Sequence, residues 1–407
     1  MLVGLGERNS LTVLHPGRSG AAAAAVAMVP AAFQPLAAAF GDGDGGLDFV
    51  VWSRADESSA ATLDVFRMLP DDSVTLLASA EVNDADAGSG TTRIFVGDLD
   101  PQSPGAEIVV ARANDPRHGA RVRIFGGLAQ GRLRQLCSWS LFPRSTAPSD
   151  AIAFALVDTL AARPGAELLV AGPHGRIYIF GVTLGRRQLL GSLRPFPDRP
   201  HASAARFAVA DLIAAHAGPE IAVGDDGTSG DGRVRVLAPE SGEIVGEFQI
   251  FPRGGAAGGI ELWAGDVARA HPGAELIAGQ GSAGARLRVF SLASGVAQNV
   301  LDLPNPLART TSLWQHLVIA DLVPQLPGSE IAVAHPDPLL PVQVFSLDGL
   351  TANLRGSARA AMPGEVVSLI APGGPARPIC VNLSFRAVSE EAAGSATPKA
   401  LGDTAQG

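Results

Sequence analysis

The chain has 407 residues, is 46% hydrophobic and carries a formal net charge of −9. No stretch approaches the roughly 18 uninterrupted apolar residues of a membrane helix, so membrane insertion is not expected. The acidic balance also argues against a nucleic-acid partner, because phosphate binding requires clustered positive charge.

Glycine and proline are abundant, with 48 and 30 residues, whereas aromatic residues make up only 5% of the chain. This composition favours short strands joined by tight turns. The two cysteines, Cys137 and Cys380, have no metal-type spacing and are interpreted as small buried residues rather than a disulfide. No basic segment followed by an apolar core opens the chain. The protein is therefore expected to be cytoplasmic, or secreted or surface-exposed after loss of a leader that preceded this numbering.

Two segments near the start of the chain predict β-structure. The segment NSLTVLHPG, residues 9–17, has the composition of a strand that ends at a Pro-Gly turn. Residues 38–52, AAFGDGDGGLDFVVW, contain two apolar runs around a turn rich in glycine and aspartate. This pattern predicts two adjacent strands joined by a sharp bend.

Five copies of one turn follow. The copy at residues 266–279 reads DVARAHPGAELIAG, and the copies lie 53 to 60 residues apart. Each begins with an aspartate: Asp98, Asp158, Asp211, Asp266 and Asp321. Each has a glutamate nine residues later: Glu107, Glu167, Glu220, Glu275 and Glu330. Each has a glycine two residues before that glutamate: Gly105, Gly165, Gly218, Gly273 and Gly328. Identical spacing in five copies indicates a structural repeat.

The neighbours of the turn repeat as well. An apolar run lies on each side, and a segment of alternating polar and apolar residues follows, such as RVRVL at 233–237. Alternation of this kind predicts a strand with one buried face. A fourth apolar segment, such as EIVGEFQIF at 243–251, completes the unit. We therefore predict an all-β fold, a seven-bladed β-propeller of four-stranded antiparallel blades, with six or eight blades as alternatives.

The last unit, residues 366–383, keeps the strand–turn–strand pattern but lacks both acids. The chain then ends before a clear alternating strand, and we expect residues 9–17 to supply it by pairing the two ends of the chain. Such pairing removes exposed sheet edges. The sequence thus predicts one domain over residues 1–386 and a small, polar, disordered tail over 387–407.

The loop FGDGDGGLDFVV resembles the calcium loop of FG-GAP/VCBS repeats, the propeller repeats of integrin α-chains and many bacterial surface proteins. Asp42, Asp44, Gly45 and Asp48 match the alternating oxygen ligands, the bend glycine and the closing acid, whereas Phe40 departs from the first ligand position. The resemblance implies one or two calcium ions, held by Asp42, Asp44 and Asp48 and more weakly by Asp98, Asp100 and Glu107.

The five Pro-Gly turns offer mostly two carboxylates each, which is few for a calcium ion. They are therefore interpreted as structural. In this interpretation the aspartate accepts hydrogen bonds from the amides of its own turn, and the glutamate ties the turn to a neighbouring strand. The alternative, a metal site in each turn, stays open from the residues alone.

Loops that differ between units are the candidates for binding, because variable loops on a rigid scaffold often carry function. They precede the alternating strands or join successive units. Their candidate binding residues are Arg117, His118, Arg199, His201, Asp225, Asp226 and Asp231, of which the three aspartates form a second candidate cation loop. The Phe-Pro pairs at 142–143, 196–197 and 251–252 repeat, and are therefore interpreted as structural.

No catalytic motif is recognised, so the leading hypothesis is a non-enzymatic scaffold that presents its loop face to a protein partner. The alternatives are a carbohydrate-binding, lectin-like propeller and a polysaccharide-directed enzyme. Sugar sites generally use exposed aromatic rings. The four tryptophans, however, lie in or beside predicted strands, which favours core packing: Trp52, Trp139, Trp263 and Trp314.

Overall fold

The computed structural model describes the strands and many of the turns between them. The described residues are 2–5, 10–14, 24–28, 36–40, 47–54, 60–69, 74–82, 92–115, 119–128, 131–142, 153–172, 175–198, 206–224, 232–251, 260–268, 270–280, 286–304, 317–320, 328–333, 342–348, 351–358 and 368–370. Within them, no helix is long and apolar enough to span a membrane.

Six sheets, called blades 1 to 6, are each formed by four consecutive strands of the described chain. Blade 1 contains β4 (Leu36–Phe40), β5 (Leu47–Arg54), β6 (Ala61–Met68) and β7 (Val74–Val82). Blade 2 contains β8 (Thr92–Gly97), β9 (Glu107–Asp115), β10 (Gly119–Gly126) and β11 (Arg134–Leu141). Blade 3 contains β12 (Phe154–Val157), β13 (Glu167–Ala171), β14 (Ile177–Thr183) and β15 (Arg186–Leu193).

Blades 4 to 6 repeat this order. Blade 4 contains β16 (Arg206–Ala210), β17 (Glu220–Gly224), β18 (Arg233–Leu237) and β19 (Ile244–Gln249). Blade 5 contains β20 (Ile260–Gly265), β21 (Glu275–Gln280), β22 (Arg286–Ser291) and β23 (Gln298–Pro304). Blade 6 contains β24 (Leu317–Ala320), β25 (Glu330–Val333), β26 (Val342–Asp348) and β27 (Thr351–Ala358). All the pairings are antiparallel.

Blade 7 combines both ends of the described chain. Its strand order is β28 (Ser368–Ile370), β1 (Leu2–Leu5), β2 (Ser10–Leu14) and β3 (Ala24–Met28). Strand β1 pairs with β28 in antiparallel register, with Val3 opposite Ile370. Three N-terminal strands contribute to this sheet, whereas the sequence assigned one, at residues 9–17. The strand predicted after the turn in 366–383, and the tail at 387–407, lie outside the described residues.

The first strand of each blade contacts the first strand of the next, from β4 through β24 to β28 and back to β4. Seven sheets whose first strands form such a ring surround a central axis, which is the architecture of a β-propeller. The predicted fold class is therefore confirmed. We call the end of the ring where the first strands begin the loop end, and the opposite end, where the Pro-Gly turns lie, the turn end.

Burial follows strand position within a blade. The second strands β13 and β17 are buried along their whole length, whereas the fourth strands β15 and β19 are largely exposed. Trp52 and Trp263 are buried, as predicted for core residues, and Trp139 is partly buried. Cys137 is a half-buried free thiol, and burial raises its pKa to about 11. Trp314 and Cys380 lie outside the described residues.

The Phe-Pro segments connect successive blades. Phe196, at the end of blade 3, lies under the Arg235 guanidinium of blade 4 at 5.0 Å from Cζ to the ring centre. Phe251, at the end of blade 4, lies under Arg288 of blade 5 at 5.5 Å. In both cases the arginine also donates to a backbone carbonyl beside the phenylalanine. The structural role predicted for the segments at Phe196 and Phe251 is confirmed, since a cation–π contact and a hydrogen bond join each pair of blades.

Deleting residues 1–14 tests the contribution of the N-terminal strands. The deletion removes β1 and β2 and so separates β28 from β3 in the strand order of blade 7. We expect the truncated protein to aggregate or to melt at least about 10 °C lower, because unpaired strand edges are exposed. Circular dichroism melting of this variant, beside a variant lacking residues 387–407, measures the effect. Equal melting temperatures for the two deletions and the full chain would contradict the expectation.

Candidate functional site

The repeated turn is built around its glutamate. The five glutamates at the start of the second strands are buried, with at most 2% exposure: Glu107, Glu167, Glu220, Glu275 and Glu330. In blade 5 the Glu275 Oε2 atom accepts hydrogen bonds from the backbone amides of Val267 and Ala268, at 2.9 and 2.8 Å. Equivalent amide pairs donate to Glu107, Glu167 and Glu220. The glutamate thus satisfies two buried amides that the bend leaves without a strand partner.

The role predicted for the aspartate is wrong for the copies that the structure describes. Asp98, Asp158 and Asp266 are exposed at the end of the first strand, and the turn amides bond to the glutamate instead. The physical reason is reach and burial. The glutamate starts on the second strand, and its side chain extends into the buried interior of the turn, whereas the side chains of Asp98, Asp158 and Asp266 are exposed.

The aspartate contributes through its backbone carbonyl, which links one blade to the next. The Asp98 carbonyl accepts a hydrogen bond from the Ala166 amide of blade 3 at 2.6 Å. The Asp211 carbonyl accepts one from Ala274, and the Asp266 carbonyl accepts one from Ser329. In blade 4 the corresponding residue is Pro219, which has no amide hydrogen to donate. The turns therefore form a bonded series along the ring that this proline interrupts.

The turn glycine is required by backbone geometry. All five turn glycines have φ between 88° and 95°, a region that residues with a side chain rarely adopt. A Cβ atom on Gly273 would lie 3.2 Å from the Asp211 carbonyl oxygen, and one on Gly165 would lie 3.0 Å from the Asp98 carbonyl oxygen. The glycine thus permits both the bend and the close approach of the preceding blade.

Burial raises the pKa of the turn glutamates. For Glu275 the rise is from 4.5 to about 7, with burial as the largest cause and the Asp266 charge adding to it, while the two amide bonds oppose it. Burial likewise raises the pKa of Glu107, Glu167 and Glu220. In the described part of the chain, the second carboxyl oxygen of Glu275 is buried without a hydrogen-bond partner. A proton is therefore held at this site more tightly than in water.

The closing acid of the candidate calcium loop, Asp48 on β5, forms an ion pair within blade 1. Asp48 is 1% exposed, and both of its carboxylate oxygens accept hydrogen bonds from Arg67, at 2.8 and 2.9 Å. A guanidinium therefore already engages both oxygens of Asp48, and a calcium ion would have to displace it to use Asp48 as a closing ligand. Asp42 and Asp44 lie outside the described residues, so calcium binding by them stays a prediction.

The weaker calcium candidates in blade 2 are also engaged by amides. Asp100 is buried and accepts a hydrogen bond from the Gly185 amide of blade 3 at 2.9 Å. The carboxylate of Glu107 receives the amides of Leu99 and Asp100. Within the described residues, no three metal-ligating side chains come together. These carboxylates therefore stabilise the turns, and a cation would have to displace backbone donors to use them.

A different group of charged side chains lies at the loop end of the central channel. Among the described residues, the first strands carry three charged side chains, Arg93 on β8, Arg206 on β16 and Glu261 on β20. We call these three residues the channel-mouth cluster. Each stands five residues before the aspartate of its turn, so all three lie at the same level of the ring. Charge at this level is found in blades 2, 4 and 5, not in every blade.

The three side chains interact across blade boundaries. Arg206 and Glu261 form an ion pair between the adjacent blades 4 and 5. Burial lowers the pKa of Arg93 to about 10, while Glu261 raises it and Arg206 lowers it further. Blades 2 and 5 are not neighbours in the ring, so the interaction between Arg93 and Glu261 runs across its interior. The Arg93 Nη1 atom is buried and has no hydrogen-bond partner within the described residues.

The loops chosen from the sequence lie mostly outside the described residues. This holds for all of these candidates: Arg117, His118, Arg199, His201, Asp225, Asp226 and Asp231. The described strand ends that flank these loops lie at the loop end, where second strands lead to third strands and one blade leads to the next. Sequence reasoning missed the channel-mouth cluster because it compared loops between units and did not compare first strands. When the five copies of the turn are aligned on their aspartates, the charged residues five positions earlier stand out, because they do not occur in every copy.

Comparisons with known proteins identify the fold. No family model and no curated protein matches the chain. The periplasmic gluconolactonase PpgL of Pseudomonas aeruginosa is 14% identical, with a TM-score of 0.54, and the match covers 91% of this chain and 99% of that one. A β-propeller domain of Cps50 (Swd1) from Myceliophteria thermophila is 12% identical, with a TM-score of 0.46, over 77% of this chain and 83% of that one. At these identities the likeness concerns the fold alone.

Replacing the turn glycine of blade 5 tests its backbone role. We expect Gly273→Ala to lower the free energy of unfolding by about 1–3 kcal/mol, because alanine is strained at a φ of 90° and its Cβ meets the Asp211 carbonyl. Gly191→Ala is the matched control, since a Cβ there meets nothing within 4 Å. Urea unfolding measures both variants, and an equal loss in the two would contradict the assigned role.

Replacing Glu275 with glutamine tests the proton that the turn holds. Because the pKa rises from 4.5 unfolded to about 7 folded, the folded state binds more protons between these values. The contribution of Glu275 therefore falls as pH rises from about 4.5 to 7, by up to about 3 kcal/mol, and is constant above 7. We expect Glu275→Gln to flatten this part of the stability profile, measured by urea unfolding from pH 5 to 8. An unchanged slope would show that Glu275 ionises normally.

Proposed function

We propose that the protein is a non-catalytic binding propeller that docks a protein partner on its loop end. The observation that carries the proposal is the channel-mouth cluster, a set of unrepeated charges at the centre of that end. In a repeat fold, features present in every blade serve the architecture, whereas features confined to some blades are available for function. The channel-mouth cluster belongs to the second group.

The two ends of the ring differ, and the difference supports placing the partner at the loop end. At the turn end, short connections with the same acid, glycine and glutamate recur, and bonds to neighbouring blades fix them. At the loop end, the connections between blades and between second and third strands vary in length and sequence. A rigid ring with variable loops at one end is suited to presenting a binding surface.

The aromatic residues favour a protein partner over a glycan. Trp52 and Trp263 are buried, at 5% and 7% exposure, and pack in hydrophobic clusters between blades. Trp139 packs against the core of blades 2 and 3. Stacking on a sugar ring requires an exposed aromatic face, which Trp52 and Trp263 do not offer. Paired charges beside variable loops are, in contrast, common at protein interfaces, where they set orientation and specificity.

Affinity capture with matched surface variants tests the proposal. Arg206→Ser removes a half-exposed charge at the loop end, and Glu240→Arg reverses an exposed charge at the turn end. We expect the wild type and Glu240→Arg to retain the same partner from cell extract and Arg206→Ser to retain at least fivefold less, roughly the loss of one significant contact. Melting temperatures confirm that both variants fold, and quantitative mass spectrometry measures the partner.

The result that would overturn the proposal is equal capture by the two variants, or a glycan array on which the wild type binds and Arg206→Ser does not. The first outcome would place the partner away from the loop end. The second would make the protein a lectin.

A further inference from the structure

The Arg93 side chain has a donor without an acceptor. Its Nη1 atom is buried, and no described residue accepts a hydrogen bond from it. Buried donors in native proteins are nearly always bonded, and a charged donor left without an acceptor costs more than a neutral one. Arg206, at the same level of the ring, is paired with Glu261. Arg93 is therefore the member of the channel-mouth cluster that is available to a ligand.

The charge of the channel-mouth cluster selects a monoanion. Burial lowers the pKa of Arg93 only to about 10, so the guanidinium is charged at neutral pH. Two guanidinium groups and the Glu261 carboxylate leave one positive charge in a partly desolvated place. A ligand with one negative charge neutralises it, whereas a dianion would leave an excess negative charge that is costly to bury.

The residue of blade 3 at the level of the two arginines is small. Blade 3 stands between blades 2 and 4 in the ring, and Ala153 occupies its position five residues before Asp158. Its methyl group is the smallest side chain at this level among the described first strands. Arg93 and Arg206 thus flank a position that no long side chain of blade 3 fills.

We propose that the channel-mouth cluster binds a single carboxylate group, with Arg93 as the bonding guanidinium and Glu261 as the positioning residue that holds Arg206. The planar guanidinium matches the two oxygens of a carboxylate in a bidentate pair. A free organic acid and an acidic side chain of a docked protein share this chemistry. In the second case the inference rests on the proposed function, since it names the group that the partner inserts.

Ligand-detected nuclear magnetic resonance on the full-length protein tests the site without any partner. The probes are propionate with its neutral analogue propionamide, and an N-acetylated, C-amidated Ala-Glu-Ala peptide with its Ala-Gln-Ala counterpart. Sodium phosphate at the same ionic strength reports a general preference for anions. The variants are Arg93→Gln, Arg93→Lys and, as a control on the outer face of blade 3, Arg187→Gln.

We expect a carboxylate probe to bind and its neutral analogue not to. Arg93→Gln should weaken binding roughly tenfold or more, Arg93→Lys should weaken it less, and Arg187→Gln should leave it unchanged. Binding of propionate identifies a free acid as the source, and binding of the glutamate peptide alone identifies a polypeptide. The comparison of propionate with propionamide needs no variant, so it tests carboxylate binding even if Arg93→Gln fails to fold.

The inference is overturned if neither carboxylate probe binds at about 10 mM. At this concentration a binding free energy as small as about 3 kcal/mol is detectable. The inference is also overturned if phosphate binds as well as propionate, or if Arg93→Gln and Arg187→Gln bind equally. If the carboxylate probes fail to bind while partner capture still depends on Arg206, the proposed docking at the loop end is retained. Only the carboxylate as the bound group is then excluded.

Discussion

The hydrogen bonds from two turn amides to one buried glutamate oxygen are the contact on which the ring depends. A sharp bend between the first and second strands leaves these amides without a ladder partner, and burial makes an unbonded amide costly. Glu275 and its equivalents satisfy them from the start of the second strand. The turn is then compact enough for the aspartate carbonyl of one blade to accept an amide of the next, as between Asp266 and Ser329. One local interaction thus fixes both the blade and its neighbour.

Blade 1 uses the acid at the start of its second strand differently. Asp48 stands where blades 2 to 6 have glutamate, and Arg67, directly opposite it on β6, donates to both of its oxygens. The aspartate is shorter than glutamate by one methylene, and among the described residues its carboxylate meets the third strand. The resemblance to a calcium loop therefore concerns the spacing of the acids, while the described structure uses the closing acid for an ion pair within the blade.

The regularity of the turn end leaves the loop end free to vary. Since the turns and the Phe-Pro contacts already hold the blades together, the residues at the beginning of the first strands carry no architectural demand that recurs in every blade. Arg93, Arg206 and Glu261 occupy this level in three blades, and the small Ala153 occupies it in a fourth. Unpaired burial of Arg93 costs stability, and proteins retain such groups where a ligand or partner repays the cost.

The repeat, the all-β propeller and the turn glycine are predictable from the amino-acid sequence, because they depend on local spacing and on the two-residue alternation of strands. The Phe-Pro pairs are recognisable as structural in the same way, since they recur. The acid that receives the turn amides is visible in the folded chain alone, because it depends on where each side chain points after the bend. The fold also pairs β1 with β28 and lets the charges of Arg93 and Glu261 interact. Residues 168 positions apart in the chain act on each other's charge across the ring, and no local sequence pattern predicts such a pairing.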